Sequence, residues 1–534
     1  MSDAASRDAI GRNSALLAGA AFASRLLGWV RLTALAVVFG VSGALDPFLA
    51  AFRLPDLLYQ LIAAGAIASA IVPAVAGLVA SGERERASRL LSTLALLVGG
   101  GMALLGAISF IEADRVAQLV APGLSPLGIE QTATLTRMLL FSPLFLGLAA
   151  VANAAVAAEE RFRGPALGPL LYNLAVIVAV LLFGATFGAI APAAGTVSGA
   201  ILLLLVSLPE AHRAGFRIRR PNFADPILRT TLLAIAPRVI GLAAIQFVFA
   251  AFVSTASNFA EGSITAWNYA FSLLQFPVAT IGGAIGTALL PAASRLVATA
   301  DRSGLARAAH GAFGTAIWLI LPVACIGQVI APGAVAVTLG PSADPLAVER
   351  TAMLLRLLFL GVPAMAATAV FARLCYSVGD TRGPVGAALT GVAVMLTAQA
   401  LLAPTLGLGS LAAAVAIGEW IECGILLARV RSRVAGPTVR GFLSGVPVCI
   451  ALSAGAALIA LGIVALAASL SLTSGWLSSA FVTMLAGGVS LFAYLAGTAL
   501  FGIHAAAPIL RRVVRIAPRL KRLPTVRALL GDER

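Results

Sequence analysis

Stretches of about twenty or more apolar residues recur about fourteen times along this chain, and no other feature limits its fold as strongly. They lie near 14–41, 46–80, 90–111, 132–158, 166–186, 188–208, 228–257, 264–296, 308–330, 349–377, 384–403, 409–429, 441–466 and 476–502. About 20 apolar residues in a helix cross the hydrocarbon of a bilayer. The windows therefore predict an all-α polytopic membrane protein of about fourteen transmembrane helices. Only 11% of the 534 residues are charged, where a soluble domain carries about 25%. The first window exceeds a signal-peptide core and is not followed by a small-residue cleavage site, so it is expected to be a retained span.

Charge alternates between successive loops. Arg84, Arg86 and Arg89 follow the second window, and Arg161 and Arg163 the fourth. His212, Arg213, Arg217, Arg219 and Arg220 follow the sixth; Arg295, Arg302 and Arg307 the eighth; Arg382 the tenth; Arg431, Arg433 and Arg440 the twelfth. The tail adds Arg511, Arg512, Arg515, Arg519, Lys521, Arg522 and Arg527, while the intervening loops carry Glu112, Asp114, Glu130, Glu261, Asp344 and Glu349. By the positive-inside rule both termini are expected in the cytoplasm. The net charge of +15 is then topological, and no nucleic-acid partner is implied.

Lys521 is the sole lysine and lies outside any glycine-rich loop, so nucleotide hydrolysis through a P-loop is excluded. The loops leave no room for a soluble catalytic domain, and no enzyme activity is expected. The four cysteines lie in apolar windows and the three histidines near loops, so neither a disulfide framework nor a metal or cofactor is implied.

The chain repeats itself. Gly65 to Ala74 aligns with Gly283 to Ala292, and Arg163-Gly164-Pro165 with Arg382-Gly383-Pro384. Six spans per repeat give both halves the same orientation, an arrangement suited to a rocking transporter that binds substrate near the midplane. The expected organisation is an N-terminal six-helix lobe over 1–210, a parallel C-terminal lobe over 211–435, a two-helix appendage over 436–505 and a basic cytoplasmic tail over 506–534.

Charges inside apolar windows are costly and mark function. Arg25 and Arg31 stand in the first window, about 9 Å apart along a helix and about 120° apart around it, with Gly28 between them. Two guanidinium groups above bare backbone can grip a phosphate or pyrophosphate; paired with buried acids, they would serve packing alone. Asp46 is expected at the outer interface, as a helix cap or as a gating partner for an arginine, and Arg53 and Asp56 lie deeper. Arg137, Arg238 and Arg356 are expected to snorkel. Glu419 and Glu422 share a helix face inside the twelfth window, either as a proton-carrying pair or paired with an arginine such as Arg373.

Ser24-Arg25-Leu26-Leu27-Gly28-Trp29-Val30-Arg31, then Asp46-Pro47-Phe48 and Phe52-Arg53-Leu54-Pro55-Asp56-Leu57-Leu58, resemble the MviN/MurJ family of lipid II flippases in the MOP exporter superfamily. The likeness runs on through Val72-Pro73, Pro165, Pro169, Asn173, Tyr269-Ala270, Phe276-Pro277, Leu290-Pro291, Tyr376 and Asp380-Thr381-Arg382-Gly383-Pro384, nearly the whole chain. It implies a multi-pass protein of the bacterial inner membrane, expected as a monomer. Such a protein moves a polyprenyl-pyrophosphate-linked glycan, the peptidoglycan precursor, to the periplasmic leaflet by alternating access. Arg25 and Arg31 match the family's pyrophosphate-holding arginines, with Arg53 assisting, and Asp46 matches its outer acidic residue. The implied partners are the lipid-linked substrate, membrane lipids and cell-wall synthesis proteins, with no nucleotide; the coupling ion stays open. The chain departs from the family at Leu32, Tyr59, Gln60, Ala64 and Ser272, where charged residues are usual. A flippase for another lipid-linked oligosaccharide, a proton-coupled exporter of amphiphiles or drugs, and a non-transporting envelope scaffold are the alternative readings.

Overall fold

A computed structural model of the protein describes residues 3–62, 66–159, 161, 163–472 and 475–501, and among them it is entirely helical and irregular. Ala64 and the basic tail over 506–534 lie outside the described residues, as does the Arg238 side chain. The chain forms two compact units, Met1–Thr265 and Ala266–Arg534.

The first unit contains α1 (Asp3–Phe39), α2 (Asp46–Ala51), α3 (Arg53–Ile62), α4 (Ala66–Ala80), α5 (Arg84–Ile111), α6 (Ala113–Val120), α7 (Pro126–Leu139), α8 (Phe141–Ala158), α9 (Arg163–Phe187), α10 (Ile190–Arg213) and α11 (Pro226–Ser257). The chain passes into the second unit along α12 (Ser263–Val278). There follow a π-helical turn (Ala279–Gly283), α13 (Ala284–Ala298), α14 (Arg302–Leu339), α15 (Pro345–Phe359), α16 (Val362–Ser377), α17 (Arg382–Leu406), α18 (Gly409–Arg433), α19 (Val439–Leu443), α20 (Val446–Ser469) and α21 (Trp476–Leu500).

Among the described residues eleven helices are long and apolar enough to cross a membrane, or twelve if α15 and α16, bent by 41°, count as one span. The two remaining windows, 46–80 and 228–257, coincide with α2–α4 and α11, whose residues are described only in part. Leu104, Leu182, Leu458 and Phe492 are among the many large apolar side chains left exposed along these helices, as a lipid-facing surface requires.

The duplication extends to helix starts. α5 and α14 begin at Arg84 and Arg302, 218 residues apart; α7 and α15 at Pro126 and Pro345, 219 apart; α9 and α17 at Arg163 and Arg382, again 219 apart. Gly188 and Gly407, each following the α9 or α17 helix, adopt φ of +56° and +53°. That left-handed backbone is open to glycine without a Cβ penalty.

Close packing comes from small residues. Gly195 and Gly199 of α10 form a GxxxG face against α9, where a Cβ on Gly199 would press 2.9 Å from the Tyr172 carbonyl oxygen. Gly361, at the bend between α15 and α16, sits in the same way against Ala416 of α18. The bend frees the Leu360 carbonyl, and the Trp420 indole donates to it at 2.9 Å. The last two long helices, α20 and α21, dock on α14, where the Tyr494 hydroxyl donates to the Trp318 carbonyl at 2.8 Å.

The loop between α10 and α11 lies against the start of α5. Arg84 donates to the Ala214 carbonyl at 3.0 Å and to Glu159 at 2.6 Å, and its guanidinium stands 5.9 Å from the Phe216 ring centroid. Arg86 grips both oxygens of buried Asp225 at 2.8 and 3.0 Å. These guanidinium bonds hold the Asp225 carboxyl below the usual aspartate range. A depressed value means that the clasp stabilises the folded loop above the unfolded aspartate value of about 3.9 and is lost as pH falls through the lower folded value.

Two outcomes follow from this packing. Gly199→Val should cost about 1–3 kcal/mol in detergent unfolding, against little for Gly101→Ala, whose added Cβ meets open space. Asp225→Asn at neutral pH should raise amide hydrogen exchange across residues 214–225 to the level wild type reaches only below about pH 4.

Candidate functional site

A polar cluster forms inside the first unit where α1, α3, α9 and α10 meet. Arg31 of α1 places its guanidinium carbon 6.0 Å from the centroid of the Tyr172 ring on α9, within cation–π range. Asp56 of α3 hydrogen-bonds with Gln60 and lies within Coulombic reach of both Arg53 and Arg31. Tyr59 adjoins Asp56 and Tyr172, and the Tyr172 hydroxyl pairs with Thr196 of α10. Among the described residues, the buried Arg53 Nε makes no hydrogen bond. The cluster thus holds two cations, one carboxylate and two phenols, with a net positive balance and one unused guanidinium donor.

Local sequence explains the placement. Pro47 and Pro55 interrupt the second window, so α2 ends at Ala51 and α3 restarts at Arg53. On α3, Arg53, Asp56 and Gln60 recur at helical spacing and share one face. On α9, Asn173 donates to the Pro169 carbonyl at 3.0 Å and to the Ser24 carbonyl at 3.4 Å, tying α9 to α1 one residue from Tyr172.

Of the sequence-derived candidates, Arg31 and Arg53 come together in this cluster. Arg25 is exposed on the same helix, below Gly28, where an added Cβ would meet open space. Asp46 lies elsewhere. It is 2% exposed and accepts from Gly262 N at 2.8 Å, Thr265 N at 2.9 Å and Thr265 Oγ1 at 2.6 Å. It therefore caps the amino end of α12 rather than its own helix, where its charge also meets the favourable end of the dipole. Among the described residues it forms no ion pair.

Glu419 and Glu422 sit in the second unit, half-buried on α18, with Glu422 packed over Gly391 of α17. Among the described residues neither makes an ion pair, so the Arg373 pairing is not formed. Arg137 bonds Asp114 at 2.5 Å, and Arg356 and Gln328 exchange side-chain bonds to each other's backbone.

Tyr172 and the reach of Asp56 to Arg31 were not apparent from sequence. A tyrosine within the apolar run Gly168–Phe187 was the available signal for the first. Tyr59 and Gln60, two of the departures from the family pattern, both fall in the cluster.

With this geometry in view, the comparisons with known proteins become informative. The family profile described as lipid II flippase MurJ matches residues 35–486. The chain belongs to the lipid II flippase MurJ family. The match begins after Arg31 and so does not reach Arg25 or Arg31. A probable lipid II flippase MurJ from Rhizobium meliloti is 27% identical over 433 residues, covering 78% of this chain and 79% of the relative. A lipid II flippase MurJ from Burkholderia cenocepacia is 29% identical over 295 residues, 53% of this chain and 57% of the relative. The solved structure of a lipid II flippase MurJ in an inward closed conformation superposes with a TM-score of 0.75 at 21% identity, covering 91% of this chain and 98% of that one. That likeness establishes the MurJ fold.

The cap on α12 gives a direct test. Asp46→Ala leaves two buried backbone donors and a hydroxyl without an acceptor and should cost at least about 2 kcal/mol in detergent unfolding. Asp46→Asn, which keeps one acceptor oxygen, should fall between Ala and wild type.

Proposed function

We propose that this protein is a flippase that moves lipid II, the polyprenyl-pyrophosphate-linked peptidoglycan precursor, from the cytoplasmic to the periplasmic leaflet by alternating access. Membership of the MurJ family supports the substrate class. The observation that carries the site is the placing of Arg31 and Arg53 around Asp56, with the buried Arg53 Nε lacking a hydrogen-bond partner among the described residues. A pyrophosphate entering there replaces one carboxylate with a stronger anion and takes up the unused donor. Arg25 extends the grip along α1, and Tyr59, at a position where a charged residue is usual, and Tyr172 offer neutral hydroxyls.

The repeats over 1–210 and 211–435 supply the two moving halves, with 436–505 as an appendage that guides the lipid tail. The alternating basic loops support an orientation with both termini in the cytoplasm, as in a bacterial inner-membrane protein. Asp46 anchors the outer end of α12 during the cycle. Glu419 and Glu422 carry the coupling proton: they share one helix face, lack a counter-ion among the described residues, and have each other, Cys423 and Tyr376 as titratable neighbours. An uncompensated buried carboxylate is stable only when protonated, so each change of water access loads or releases a proton.

Expression in a cell depleted of its own lipid II flippase should restore growth. Arg31→Ala and Arg53→Ala, at normal membrane abundance, should lose rescue, with purified protein binding lipid II about 10- to 100-fold more weakly. Glu419→Gln/Glu422→Gln should retain binding but abolish the response of transport to a pH gradient. A wild type that fails to rescue, while its deletion raises drug sensitivity with unchanged precursor pools, would favour a drug exporter.

A further inference from the structure

Residues 217–223, between α10 and α11, combine features that transport does not use. Arg217, Arg219 and Arg220 flank Ile218, which is 94% exposed, and Phe223 is 60% exposed. The segment does not hang free. Its backbone N–H groups at Arg217, Arg219 and Asn222 donate to the hydroxyls of Ser88, Ser92 and Thr93 at 3.4, 2.9 and 2.9 Å. These acceptors advance along α5 from the loop's entry beside Arg84 to Thr93, a rise of about 13 Å. The chain then returns, and Asp225 meets Arg86. The tip is thus drawn along α5 toward the bilayer, level with the apolar run that begins at Leu90, rather than outward into water.

Charge points the same way. The nearby acids are already engaged: Glu83 and Asp225 by Arg86, Glu85 by Arg89 and Glu159 by Arg84. Glu85 lies within Coulombic reach of Arg219. Among the described residues, Arg217, Arg219 and Arg220 form no ion pair. Three cations around an exposed isoleucine, fixed at interfacial depth, complement a surface with anionic headgroups above hydrocarbon.

We propose that residues 217–223 form a docking surface for anionic phospholipid headgroups of the cytoplasmic leaflet, with Ile218 and Phe223 entering the acyl boundary. The assignment rests on the membrane orientation given above, but not on the transported substrate. It fixes the amino ends of α5 and α11 to the leaflet surface.

The test uses the full chain with a spin label at Ile218→Cys; three of the native cysteines are buried and Cys325 is half-buried. In nanodiscs containing phosphatidylglycerol, the label should collide with oxygen more than with a water-soluble nickel chelate. In phosphatidylcholine alone, the nickel collision rate should rise at least about threefold. Arg217→Ser/Arg219→Ser/Arg220→Ser should erase the difference, since each arginine contributes about fivefold to partition at an anionic surface. Ser92→Ala/Thr93→Ala, which keeps the charge, should retain the lipid dependence with a more mobile label. A label equally exposed to nickel in both discs overturns the proposal. So does a label that responds only when undecaprenyl pyrophosphate is added to phosphatidylcholine discs, because the segment would then be a substrate contact. Rescue of growth is scored separately, so failure here leaves the flippase reading standing.

Discussion

Hydrocarbon supplies no hydrogen bonds, and at several irregularities among the described residues the protein supplies them instead. The break before α12 is closed by Asp46, which accepts from three donors at that helix's start. The bend between α15 and α16 is closed by the Trp420 indole on the Leu360 carbonyl. The guanidinium groups of Arg31 and Arg53 are accommodated by Asp56 and an aromatic face. Spans that would otherwise be straight rods can therefore bend.

Much of this was legible in the sequence, because lipid enforces a simple code. Apolar length marked the long helices, and an offset of 218 or 219 marked the repeat; the starts at Pro126 and Pro345 extend it to helices that share Pro-Leu, Glu130 with Glu349, Thr132-Ala133 with Thr351-Ala352 and Arg137 with Arg356. Arg31 and Arg53 stood out because charge inside an apolar run is expensive. Less was readable where a partner lies far along the chain. Asp46 looked like a cap for the helix it begins, yet its donors lie more than 200 residues later. Tyr172 carried no charge to betray it, and only packing of α9 against α1 brings its ring to Arg31.

Two of the departures from the MurJ pattern, Tyr59 and Gln60, fall within the polar cluster of the first unit. Tyr59 and Gln60 stand on α3 beside Asp56, so the lost charges are replaced by hydroxyl and amide groups in the same cluster. Fewer fixed cations lower the desolvation cost of the cluster in lipid.

The glycine face between α9 and α10 has a kinetic meaning. Backbones in direct contact at Gly195 and Gly199 leave no slack for sliding, so the two helices must travel as one rigid body. Tyr172 and Thr196, one on each helix and joined by their hydroxyls, ride on that body as a fixed wall. Any rearrangement that keeps this packing moves Tyr172 and Thr196 together.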